Sequence, residues 1–331
     1  MMGKLKKLTG YRLFLPLSCL IIVLLINLIT TPTFFRITIN NGVLYGYIID
    51  VINRASELVV LAVGMTLVVS ASAGTDISVG AVMAVAAAVC TRVLAGGEVS
   101  VNEYANPYVL AVLAALAAAV VCGGFNGLLV AKLKIQPMVA TLILFTAGRG
   151  ISQLVTNGQI TYISVDGYKL LGNNIQGIHI PTTIFVAVIV VVLTYILLKK
   201  TAMGMYIQSV GINERASRLV GLKSVKIIWM AYAFCGLCAG IAGLVASSRI
   251  YSADANNIGL NMELDAIAAV ALGGNSLGGG RFSLLGSVIG AYTIQALTTT
   301  LYDMSVPADQ IPGYKAIVVI LIVAVQSEEL K

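Results

Sequence analysis

Apolar positions in this chain come in long runs separated by short clusters of charged residues, glycine and proline, and few stretches show the one-faced or alternating pattern of a soluble fold. A helix rises 1.5 Å per residue and the bilayer hydrocarbon is about 30 Å thick, so a span needs roughly 20 mostly apolar residues. Runs at 13–29, 108–130, 138–155, 183–198, 227–247 and 316–325 approach that requirement without interruption. Four others, 57–73, 78–94, 264–272 and 284–301, are broken by glycine and polar residues. The pattern predicts an all-α polytopic membrane protein with about ten transmembrane helices, forming a single transmembrane domain over residues 1–331.

Unpaired backbone polar groups are costly in lipid, so irregular chain at membrane depth survives only inside protein or against water. Two such breaks are visible: SAGTDIS at 72–78, leading into SVGAVMA, and GGNSLGGGR at 273–281, leading into SLLGSVIGA. Both predict discontinuous helices, near 74–78 and 273–282. Asp76 lies in the first. A carboxylate there can accept hydrogen bonds from the free N–H groups of the next helix, line a path for a polar solute, or serve proton or sodium coupling.

Lysine and arginine give the runs a direction. Lys4, Lys6, Lys7 and Arg12 precede the first run, Lys132 and Lys134 follow the fourth, and Lys199, Lys200, Arg215, Arg218, Lys223 and Lys226 follow the sixth. By the positive-inside rule these segments face the cytoplasm, which places both termini there and leaves 96–106, 157–181, 250–262 and 302–312 outside. The first run lacks a small-x-small cleavage site and is expected to stay as a helix. Composition agrees: 58% of residues are hydrophobic and 11% charged, with mean hydropathy +0.94. The net charge of +7 sits mostly beside the runs, where it suits anionic membrane lipid and calls for no nucleic acid.

The inventory of chemistry is short. Five cysteines fall inside apolar runs, and the Cys235-x-x-Cys238 pair lacks further ligands for zinc, because the single histidine, His179, lies in a loop. We read the cysteines as packing residues and expect no metal. No phosphate-binding G-x-x-x-x-G-K-[ST] loop, Ser-His dyad or H-E-x-x-H helix is present, and GGNSLGGGRFS at 273–283 has no preceding strand, so no catalytic residue is assigned. The polar residues within runs are mainly neutral: Asn126, Thr141, Gln153, Asn275 and Gln295, with Arg149 the exception. With Asp76 they are candidates for a pathway for an uncharged polar solute, although helix–helix hydrogen bonding is the simpler role for each alone.

The longest cytoplasmic loop, 199–226, contains NERASRLV at 213–220, with Asn213 placed to cap a short helix and Gly221 to stop it. Such a helix can rest on anionic lipid or dock a cytoplasmic partner.

The segments VGMTLVVSASAGTDISVGAVMA, LKIQPMVATLILFTAGRGISQLV, VGINERASRLVGL and ELDAIAAVALGGNSLGGGRFSLLGSVIGA together resemble the permease subunits of bacterial ABC sugar importers of the ribose, xylose and galactofuranose group, over 50–326. KIQPMVATLILFTAGRGISQLVTNGQI and ADANNIGLNMELDAIAAV look nearest to the galactofuranose type. The resemblance implies a non-enzymatic subunit of the bacterial plasma (inner) membrane that forms the translocation path. It implies a second permease subunit, identical or similar, an extracytoplasmic sugar-binding protein, and two cytoplasmic ATPase subunits that alone carry ATP and magnesium. It makes 199–226 a coupling loop, with Gly211, Asn213, Glu214, Ala216 and Gly221 at its ATPase contact. The alternative is an ion-coupled carrier or channel for a small polar solute, using Asp76. One departure is local: the group commonly reads Gly-Gly-Ile-Asp-Leu-Ser, where this chain has Ala73, Gly74, Thr75, Asp76, Ile77 and Ser78.

Overall fold

A computed structural model describes residues 13–31, 34–40, 43–173 and 180–329; Lys4, Lys6, Lys7, Arg12 and His179 lie outside them. Twelve α-helices are described: α1 Phe14–Thr30, α2 Tyr47–Ser72, α3 Val79–Ala95, α4 Tyr108–Ala131, α5 Pro137–Val155, α6 Thr182–Lys200, α7 Met203–Ile212, α8 Glu214–Leu219, α9 Ser224–Ile250, α10 Met262–Leu272, α11 Leu284–Asp303 and α12 Ile311–Glu329. Short strands are β1 Thr38–Asn40, β2 Val43–Tyr45, β3 Ser100–Val101, β4 Thr161–Ile163 and β5 Ser252–Ala253, and Asp166–Leu171 is a 3₁₀ turn.

Among the described residues six helices, α2, α4, α5, α6, α9 and α11, are long and apolar enough to cross a membrane. A helix that is apolar all round must be buried in protein or in lipid, and burial separates the two cases. The apolar stretch of α2 is 89% buried within the chain, whereas that of α6 is only 22% buried and leaves half of its isoleucines and valines exposed. So α2 is the axis of the bundle, and α4, α5 and α6 form its lipid side. Small residues bring the inner helices together. The α4 glycines Gly123 and Gly127 lie against the α9 backbone at Tyr232, Gly236 and Trp229, and Gly64 of α2 lies against Cys235 and Cys238. The Cys-x-x-Cys pair is thus buried packing against a glycine, as expected.

The two ends of the bundle are distinct. At one, β3 pairs parallel with β4 and β4 antiparallel with β5, joining three of the four segments that the charge pattern puts outside. The fourth follows α11, whose Thr300 donates to Asn27 of α1 at 2.7 Å and whose Asp303 accepts from Thr31. At the opposite end Lys134, before α5, pairs with Glu214 of α8, so two lysine-rich segments meet there.

The predicted span at 264–272 takes a different form. α10 has eleven residues, a rise of about 16 Å, half the hydrocarbon thickness. The remaining depth is filled by the irregular segment 251–261, which turns back into the bundle until Gly259 meets Gly80 in the first turn of α3. Arg149 of α5 makes this tolerable: its Nη1 donates to the carbonyls of Ala255 at 3.0 Å and Ile258 at 2.5 Å.

Candidate functional site at the helix breaks

Both breaks lie where the sequence places them. Between Ser72 and Val79 the helix ladder is interrupted, and three of the backbone N–H groups there find a side chain. Asp76 N–H points at Met65 Sδ at 3.5 Å, Ile77 N–H donates to Thr141 Oγ1 at 3.2 Å, and Ser78 N–H donates to Asp76 Oδ1 at 2.8 Å. The same carboxylate oxygen accepts from Ser78 Oγ at 2.6 Å and from Asn126 Nδ2 at 3.5 Å, and that amide also donates to Ser78 Oγ at 2.8 Å. Asp76, Asn126 and Thr141 therefore form one cluster, each buried, with Asp76 only 2% exposed. Asp76 does not sit at the cap position of α3, which belongs to Ser78; it supports the cap from two residues before.

Asn275 ties the two sides of the second break together. Its Nδ2 donates to Val270 O and to Ser287 Oγ, both at 2.8 Å, and its Oδ1 accepts from Ser283 N–H at 2.5 Å. One side chain so ties the end of α10 to the start of α11, where Ser283 Oγ accepts from Gly286 N–H as the cap. Ser287 bonds Thr66 of α2 at 2.6 Å, linking this knot to the central helix.

The segment 199–226 meets both breaks. Gly280 N–H donates to Ser70 O at 3.0 Å, joining the break at 273–283 to the last turn of α2. Gly211 of α7 is wedged between them: a Cβ there would collide with Ser70 O and stand 2.6 Å from Gly280 N. Gly279 lies against Ala73 and the Gly211 carbonyl, and Gly280 against Ile212. α7 was not expected as a helix, although Gly204, Ile207 and Val210, all buried, mark its inner face at helical spacing.

α8 occupies the place predicted. Asn213 Oδ1 accepts from Ala216 N–H at 2.9 Å, and Gly221 turns the chain with φ +87°. Glu214 accepts from Lys134, from Arg218 at 2.5 Å and from Ser224 at 3.1 Å. Partial burial pushes its carboxyl upward, but hydrogen bonds from Lys134 and Arg218 outweigh this and leave it below the usual glutamate range. At the end of α8, Leu219 is 89% and the following Val220 78% exposed.

Arg149 and Gln153 stand apart, on the C-terminal half of α5. Arg149 holds the re-entrant carbonyls, and Gln153 donates to Asn256 at 2.6 Å on the exposed surface. Near the same end lies a feature absent from the sequence expectations, a polar cavity of about 710 Å³. Asp50, Arg54 and Glu57 line one side at the i, i+4, i+7 positions of α2, and Gln295, Thr298 and Thr299 another at i, i+3, i+4 of α11. Four of its seven charged residues are paired, Arg249 with Glu57 at 3.2 Å and Lys315 with Asp265 at 2.7 Å. The helical spacing of these residues is the signal that could have found them.

A family model described as "Branched-chain amino acid transport system / permease component" matches residues 47–325. The galactofuranose transporter permease protein YtfT of Escherichia coli is 44% identical over 94% of this chain and 89% of its own length. The fructose import permease protein FruF of Bifidobacterium longum is 39% identical over 98% and 90%, and the ribose import permease protein RbsC of Escherichia coli 35% over 94% and 93%.

Proposed function

From the premise that this chain belongs to the permease-component family of binding-protein-type transport systems, we propose that it is the membrane permease of an ATP-driven ABC importer for a monosaccharide. The family is one of transport subunits rather than enzymes, and membership implies separate ATPase and binding-protein partners in general. The sugars named for the relatives make galactofuranose the first candidate, with fructose and ribose beside it.

In this reading the sheet of β3, β4 and β5 faces outward with the polar cavity, and both termini and 199–226 face the cytoplasm. The observation that carries the coupling role is α8 with Leu219 and Val220 bare at its end, since exposed apolar side chains beside a rigid capped helix suit a protein groove. ATP and magnesium stay on the ATPase chains. Their closure displaces α8, and α7 carries the displacement through Gly211 to Ser70 in the last turn of α2 and to Gly280 in the α10–α11 break. A second permease subunit completes the path, and paired charges with neutral amides and hydroxyls in the outer cavity suit an uncharged polyol.

The test is sugar uptake in proteoliposomes holding this chain with its ATPase and binding protein. Uptake is expected only with ATP on the ATPase side and with the binding protein present. Glu214→Lys, which turns an attraction for Lys134 and Arg218 into repulsion, and Gly221→Pro, which forbids φ +87°, should leave the protein inserted and lower uptake. Uptake by this chain alone, driven by an ion gradient, would overturn the proposal.

A further inference from the structure

At the cytoplasmic end of the lipid-facing side, α4 and α9 enclose a groove of about 350 Å³ that lies apart from the two breaks and the polar cavity. Its walls are apolar: Leu128 and Ala131 from α4, Val225 and Trp229 from α9. Its floor lacks side chains at Gly127, and at Gly124 a Cβ would stand 3.3 Å from the Trp229 indole. Its rim carries Lys132, Lys223 and Lys226, and no carboxylate lines it. Lys134, two residues from Lys132, is paired with Glu214, whereas the three rim lysines make no ion pair among the described residues.

We propose that this groove binds one anionic phospholipid, its phosphate among Lys132, Lys223 and Lys226 and an acyl chain along Leu128 and Trp229. Charge complementarity selects the occupant. Three uncompensated ammonium groups around an apolar slot between two spanning helices, at the interface where a tryptophan also settles, match a negative head joined to a hydrocarbon tail. A zwitterionic lipid would satisfy the slot and leave the charge unanswered. A soluble phosphate would satisfy the charge and leave the slot. The inference stands whatever solute the protein carries.

Trp229 is the only tryptophan in the chain, so it reports on its own groove. The full chain is placed in vesicles with phosphatidylglycerol or phosphatidylcholine brominated on the acyl chains, which quench a neighbouring indole. At equal mole fraction the brominated phosphatidylglycerol should quench several-fold more effectively. Lys132→Gln, Lys223→Gln and Lys226→Gln combined should bring the two lipids to parity, at roughly fivefold lost preference per lysine at most. Quenching by phosphatidylcholine in that variant shows that it is folded and inserted. Lys199→Gln with Lys200→Gln, which removes charge at the end of α6 outside the groove, should keep the preference. Equal quenching by both lipids in the unaltered chain would overturn the proposal, as would a preference that survives the triple substitution. Relief of quenching by millimolar inorganic phosphate would reassign the lysines to a free anion, and relief on adding the ATPase subunits would make the groove a protein interface.

Discussion

Asp76 Oδ1 receives donors from Ser78 N, Ser78 Oγ and Asn126 Nδ2, so its carboxylate is occupied in holding the start of α3. An amide oxygen can take the same donors and a methyl group none. Asp76→Ala should destabilise the protein by about 1–3 kcal/mol, the cost of leaving buried donors unmade, and Asp76→Asn by clearly less. Thermal unfolding in detergent separates the two, and an Asn variant that abolished an ion dependence of uptake would point to a titrating role instead. At this scale the sequence was legible where an unusual residue stood inside an apolar run, as with Asp76, Asn126 and Thr141. Asp50 and Arg54 escaped notice because they precede the apolar run of α2, and their helical spacing with Glu57 emerges only when that helix is extended back to Tyr47.

Two glycines flank α8 for different physical reasons, and alanine distinguishes them. Gly211→Ala has nowhere to place its methyl except against backbone at Ser70 and Gly280, so α7 must separate from both breaks. Gly221→Ala has open space and meets only the left-handed backbone, a cost of roughly 1–2 kcal/mol. Gly211→Ala should therefore reduce coupled uptake far more than Gly221→Ala, read with ATP hydrolysis in the reconstituted system. Glu214 adds a pH signature. Its carboxyl is held below its unfolded value, so its stabilising contribution is complete above the ordinary glutamate pKa of about 4.3 and is lost as pH falls through the lower folded value. The difference in unfolding midpoint between the unaltered chain and Glu214→Gln should be present at neutral pH and vanish in that acid range. α8 could be read from NERASRLV because its cap and its stop are both local. The half-length of α10 could not, because the segment that completes its depth is irregular and owes its tolerance to Arg149, about a hundred residues away in sequence.

On the scale of the whole molecule, alternation of basic and base-poor segments anticipated which loops gather together. Strands β3, β4 and β5 join three base-poor segments, and Lys134 joins Glu214 across two basic ones. Pairing inside the bundle was hidden, since Asp265 and Lys315 are neighbours only once α10 and α12 pack. Both are largely buried, and removing one partner strands the other. Lys315→Gln alone should cost about 3–5 kcal/mol, and addition of Asp265→Asn should recover much of it, measured as unfolding midpoints.

The shortness of α10 has an electrical consequence. The polar cavity reaches Asn261, Met262 and Asp265 at its first turn, and its last turn ends at the break of 273–283, so in the proposed orientation the septum between the two is about 16 Å thick against about 30 Å of surrounding hydrocarbon. With the cavity wet, the membrane voltage falls across that septum, at close to twice the field of the bilayer. A net charge crossing it would do work with every turnover. A neutral cargo carries no charge across that septum, so its crossing should run at a rate indifferent to membrane potential.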